Sequence, residues 1–143
     1  MKENFDLERF IKAQEHSYED ALLELKNGKK RSHWMWYIFP QVVGLGHSSM
    51  AQKYGIKNLK EAKAYLAQPT LGQRLKSCCH ALLDIHDRSA HDIFGSPDDI
   101  KLKSSMTLFY IAEEGNSIFM KVLEKYYGGK CDTKTLDILK NTP

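Results

Sequence analysis

Cysteine is scarce in this chain: three in 143 residues, with no Cys-x-x-Cys pair. One thiol must stay unpaired, which excludes a disulfide framework and a zinc site built on paired cysteines. The histidines do not replace them. His80 and His86 are six residues apart, a probable helix break separates His86 from His91, and no two sit at i, i+4. No metal and no cofactor are therefore expected. Proline is also sparse, at four residues, and no stretch rich in Gly, Ser or Pro marks a linker, a repeat or a second domain. The longest unbroken apolar run, Trp34 to Phe39, is far short of the ~20 residues of a membrane span. The first six residues carry no apolar segment of the secretory kind. One domain over residues 1–143, free of the membrane and in the cytoplasm, is the expectation.

The composition is that of a folded chain, with 42% apolar and 27% charged residues, which excludes a disordered or low-complexity protein. Twenty-one basic residues face 18 acidic ones, for a net charge of +3. The excess is local. Lys26, Lys29, Lys30 and Arg31 lie together, and without them 17 basic residues would face 18 acidic ones, a net of −1. Binding to nucleic acid is thus expected to be absent or weak.

Apolar spacing and capping residues divide the chain into about seven helices. Leu7, Phe10 and Ile11 form a first stripe. Ser17 with Asp20 opens a helix that Asn27-Gly28 stops. Asn58 with Glu61 opens the next, which runs to Pro69. Leu71, Leu75, Cys78, Cys79, Leu82 and Ile85 share one face of a fourth. Ser89 and Asp92 cap a single turn ending at Gly95. Ser96-Pro97-Asp98-Asp99 then announces a helix over 97–113, with serine as its cap and proline in its first turn. From Ser104 to Ala112 that helix bears no charge on any side, so it is read as central and buried. Asn116 opens a further helix closed by Gly128-Gly129, and Asp132 caps a last one. Only residues 34–43 read as extended, too little for a sheet. The fold class is all-α, packed round the 97–113 helix.

Two stretches carry a recognisable pattern: Lys30-Arg31-Ser32-His33-Trp34-Met35-Trp36-Tyr37-Ile38-Phe39-Pro40-Gln41 with Gly44-Leu45-Gly46-His47-Ser48, and Asp98 to Phe109 (DDIKLKSSMTLF). With Leu7-Glu8-Arg9-Phe10 and Tyr54-Gly55-Ile56, they resemble a family of small, uncharacterised, mainly helical bacterial proteins, some mislabelled as calpastatin. The resemblance spans essentially the whole chain and implies a helical fold and a cytosolic location, but no activity. Calpastatin itself is a disordered repeat chain, unlike this composition. A second, fainter resemblance, in the acid–Lys–Met–aromatic helix after a Gly-led helical segment, is to domains that process ADP-ribose derivatives.

The candidate chemistry lies in the same two stretches. Gly44-x-Gly46 before Ser48 is either a plain turn or a turn whose N–H groups hold a phosphate. Ser49 stands where a dinucleotide fingerprint needs its third glycine, and Gly28-Lys29-Lys30 lacks the upstream glycine of a phosphate-binding loop. Lys30 and Arg31 with Trp34 and Trp36 suit phosphate pairing and base stacking, or else form a core plug with a basic lead-in. In an extended segment both faces would be aromatic, so Trp36 is expected to be largely buried. Ser104, Ser105 and Thr107 either bond back to the preceding turn or line a pocket with Lys101, whose natural partner is Asp98. The expectation is a pocket between segment 29–48 and the 97–113 helix, holding a small anionic, aromatic-containing ligand such as a nucleotide or ADP-ribose derivative. Its contacts would come from Lys30, Arg31, His33, Trp34, Trp36, Gln41, Gly44, Gly46, Ser48, Lys101, Ser104 and Ser105. Whether the chain is an enzyme stays open; His33 or Asp98 would be its acid–base group. The alternatives are a protein-interaction module using the aromatic segment and a weak nucleic-acid binder.

Overall fold

The computed structural model of the chain describes residues 5–114 and 117–141. Among these, ten helices follow one another: α1 (Glu8–Gln14), α2 (Tyr18–Lys26), α3 (Met35–Ile38), α4 (Ser49–Tyr54), α5 (Leu59–Ala67), α6 (Pro69–Leu83), α7 (Ala90–Phe94), α8 (Asp98–Glu113), α9 (Ile118–Tyr127) and α10 (Thr133–Asn141). The all-α reading holds. The count exceeds seven because α3, α4 and the single turn α7 are helices in their own right. No helix among the described residues is long and apolar enough to cross a membrane.

The uncharged stretch of α8 is the centre of the packing. Leu102, Met106, Leu108 and Phe109 are fully buried, and α5, α7, α9 and α10 all pack on this helix. Two of the three buried hydroxyls on this helix bond backwards. Ser104 Oγ donates to the Ile100 carbonyl at 3.3 Å and Thr107 Oγ1 to that of Lys103 at 2.8 Å. Ser105 Oγ is buried with no hydrogen-bond partner among the described residues.

Several ends follow the capping logic. Ser89 and Asp92 form a reciprocal capping box, Asn58 accepts from the Glu61 N–H, and Asp132 accepts from the Thr135 N–H and hydroxyl. Gly128 ends α9 at φ +64°, where a side chain would be strained. Two starts differ from expectation. Ser17 makes no side-chain cap, and α8 begins at Asp98 after a cis Ser96–Pro97 bond, with Pro97 rather than Ser96 at the cap position. Asn116 and residues 1–4 lie outside the described residues.

The main correction concerns residues 34–43. They are not one extended run, because Met35–Ile38 coil into the single turn α3. Trp34, Met35, Ile38 and Phe39 thereby point inward together, and Trp36 and Tyr37 are left half-buried. A helical turn separates the two sets where a strand would have buried both faces. Trp34, Phe39 and Phe94 then form a ring cluster with centroids 6.2–6.4 Å apart. Beyond Phe39 the backbone extends only far enough for one parallel bridge, Val42 to Ile56. In it the Val43 N–H donates to the Ile56 carbonyl and the Ile56 N–H to that of Gln41, both at 2.8 Å.

Candidate functional site

Two polar clamps set the geometry of the segment 29–57. The first is Glu24 on α2. Its carboxylate accepts from the Arg31 N–H (2.6 Å), the Ser32 N–H (2.9 Å), the Ser32 hydroxyl (2.7 Å) and the Trp34 indole (2.9 Å). Burial by itself would raise the pKa of Glu24, but the hydrogen bonds from Ser32, Arg31 and Trp34 outweigh it and hold the group at about 2. The second clamp joins two of the stretches singled out above. Arg9 donates to the carbonyls of Lys53 (2.7 Å) and Gly55 (3.0 Å) and pairs with the buried Glu61 at 3.0 Å. Glu61 in turn accepts from the Lys57 N–H at 2.7 Å. The strand-like piece 55–57 is thus fixed from behind.

Between this braced segment and α8 lies a cavity of about 210 Å³, walled by Trp36, Gln41, Val42, Gly44, Leu45, Gly46, Ala51, Tyr54 and Gly55 on one side. Pro97, Ile100, Lys101 and Ser104 form the other side, and Asp132 and Lys134 the end. Two of its glycines are structurally required. Gly44 has φ +107°, and a Cβ on Gly55 would sit 2.7 Å from the Ala51 carbonyl oxygen. The backbone N–H groups of Gly44 and Gly46 donate to no described residue, whereas that of Leu45 closes the turn at 43–44. Nor do the Gln41 amide and the Trp36 indole N–H form a hydrogen bond among the described residues.

Charge at the wall comes from Lys101 and Lys134 against Asp132. Lys101 Nζ lies 3.8 Å from the Trp36 ring centroid and 3.7 Å from Asp98 Oδ1. Asp98 Oδ2 is 3.0 Å from Lys30 Nζ, which stands 5.1 Å from the Trp34 ring centroid and donates to the Ser32 carbonyl. Lys101 therefore has the partner expected of it.

Of the residues named from the sequence, Trp36, Gln41, Gly44, Gly46, Lys101 and Ser104 meet on the wall. Lys30 and Asp98 stand behind it, through Lys101. The others do not reach it. Trp34 is fully buried in the ring cluster. The exposed Arg31 gives its backbone N–H to Glu24. His33 is exposed, with its carbonyl accepting from the Tyr37 hydroxyl. Ser48 spends its hydroxyl capping α4 through the Ala51 N–H, and Ser105 is enclosed in the core. Sequence reasoning missed the α4 and α10 sides of the wall and the Glu24 clamp. One signal was present: no acid occurs between Glu24 and Glu61, the two carboxylates that brace the segment from either end.

Comparison with known proteins places the chain in a wider group. Residues 4–139 match a family described as protein of unknown function (DUF1810). The crystal structure of the conserved hypothetical protein Rv1873 from Mycobacterium tuberculosis superposes with a TM-score of 0.93 at 49% identity, over 95% of this chain and 97% of that one. Among curated proteins, none matches.

Proposed function

The chain belongs to the DUF1810 family, and we propose that it binds a small anionic ligand carrying a planar ring, of the nucleotide or ADP-ribose class, in the cavity between segment 36–55 and α8. The observation that carries this reading is the Lys101 ammonium, held against the Trp36 ring on the cavity wall. Lys134 and the undonated N–H groups of Gly44 and Gly46 add further anion-binding capacity on the same wall. Val42, Leu45, Tyr54 and Ile100 supply an apolar surface for a ring. At about 210 Å³ the cavity falls below the roughly 300–1,000 Å³ that encloses a drug-sized molecule. It suits one ring and its nearest anionic group, and the remainder of a larger ligand would lie outside.

The rival readings have less support. A partner surface made of the aromatic segment loses Trp34, Met35, Ile38 and Phe39 to the core. A nucleic-acid surface loses Lys30 to Asp98 and Lys29 to the Asp92 carbonyl. The test is calorimetric titration with adenosine monophosphate and ADP-ribose, alongside thermal unfolding, where ligand at a hundred times its Kd adds about 2.7 kcal/mol. Both compounds should bind, and Lys101→Met should weaken them roughly tenfold, as loss of a charged hydrogen-bond donor does. Wild-type affinity in Lys101→Met, or no binding at 10 mM (on the order of 100 times a typical metabolite Kd), would defeat the reading.

A further inference from the structure

Asp98 is the first residue of α8, and it sits between two lysines that differ in how firmly they are held. Lys30 makes a direct 3.0 Å ion pair with Asp98 Oδ2 and also donates to the Ser32 carbonyl at 2.6 Å. Lys101 stands at 3.7 Å from Asp98 Oδ1, beyond hydrogen-bond length, and its ammonium donates to no described acceptor. Its other neighbour is the Trp36 ring, which attracts the cation but accepts no conventional hydrogen bond. All three charged side chains are partly screened from water, at 10%, 20% and 22% exposure for Lys30, Asp98 and Lys101. Only Lys101 belongs to the cavity wall.

We propose that Asp98 is a built-in competitor for the ligand's anionic group, holding Lys101 in the empty cavity and yielding it when an anion enters. This rests on the binding reading given above and adds a determinant of affinity to it. The entering anion satisfies the unused donors of Lys101, while Asp98 keeps Lys30, so no carboxylate is left without a cation. The cost of the exchange is borne only by charged ligands. Asp98 therefore lowers the affinity of anionic compounds relative to neutral compounds bearing the same ring, and it keeps the empty cavity from presenting an uncompensated charge.

The experiment compares adenosine monophosphate with adenosine by calorimetry on the wild type, Asp98→Asn, Lys101→Met and the double variant. Asp98→Asn removes the charge at constant size, and Asp98→Ser serves as a second variant should the amide itself hold Lys101. Adenosine monophosphate should bind either Asp98 variant roughly tenfold tighter than the wild type, the effect of removing one opposite charge about 4 Å from Lys101 under nearly aqueous screening. Adenosine should be unaffected, and the gain should vanish in the Lys101→Met background. If the wild type binds the nucleotide and neither variant binds it more tightly, the competitor role fails while the binding reading stands. It fails equally if adenosine gains as much, or if the gain persists without Lys101. No binding of the nucleotide by any of the five proteins overturns both.

Discussion

Replacing Glu24 by glutamine tests the clamp that positions the basic segment. The change keeps the size of the side chain and one carbonyl oxygen, so the N–H groups of Arg31, Ser32 and Trp34 retain an acceptor, and the Ser32 hydroxyl can reverse its role. What is lost is the charge. In the fold this carboxylate titrates at about 2, against an ordinary value of 4.5, so the unfolded chain takes up the proton first. The resulting stabilisation is present in full above about pH 5 and disappears as the pH falls through 4.5 towards 2. At about 1.4 kcal/mol per unit the shift would amount to roughly 3 kcal/mol. Glu24 is only partly buried, so solvent screening brings the expected loss to about 1–2 kcal/mol. Urea unfolding at pH 7, followed by tryptophan fluorescence, should show this loss, with a fall in Tm of roughly 3–8 °C. The gap between wild type and variant should narrow steadily between pH 5 and pH 3. A variant as stable as the wild type at pH 7, or a gap as wide at pH 3 as at pH 7, would refute the charge-based account.

Trp34 and Trp36 should separate under truncation. Trp34→Ala removes a fully buried ring and should cost about 3–5 kcal/mol, whereas Trp36→Ala, at a half-buried wall position, should cost less than about 2 kcal/mol; equal losses in urea titrations would contradict the helical turn at 35–38. Ser105→Ala removes a buried hydroxyl without a partner and should leave stability unchanged or raise it by up to about 1 kcal/mol, so a clear loss would expose a bond to Ser105 that the fold does not explain. Burial pushes the thiol of Cys78 up to about 12 and that of Cys79 well above its usual range, so a disulfide reagent at pH 8 should label Cys131 alone until the protein is unfolded; immediate reaction of all three thiols would show that α6 opens readily.

The helices were legible where one residue type settles the matter. The absence of charge from Ser104 to Ala112 points to burial, and α8 is the packed centre, with only Tyr110 and Ile111 of that stretch partly exposed. Gly28 and Gly128 adopt positive φ where the chain was expected to stop. The 34–43 segment misled because a run of aromatics satisfies period two and a single helical turn equally well. The inward set 34, 35, 38 and 39 has helical spacing, but one turn is too short for that spacing to stand out. The meeting of Trp36, Gln41 and the Gly44–Gly46 loop with Lys101 and Ser104 followed from asking which polar groups their own elements could not use. Glu24 had one signal, the acid-free run that follows it, while the contributions of Asp132 and Lys134 had none. Each is an ordinary charged residue whose role arises only from long-range packing. Thr107 took the structural alternative, whereas Ser104 does both, bonding to the preceding turn and lining the cavity.

Thr107 does more than return its hydroxyl to its own helix. Its oxygen also accepts the Asp132 N–H at 2.8 Å, which ties the start of α10 to the middle of α8. Two members of the cavity wall, Asp132 and Lys134, are therefore carried by a separate piece fastened to the central helix. The closed cavity is thus an assembled property, complete only with α10 docked against α8. Anything lodged against Lys134 would act as a latch on the C-terminal helix, slowing amide exchange there as well as in the loop it touches.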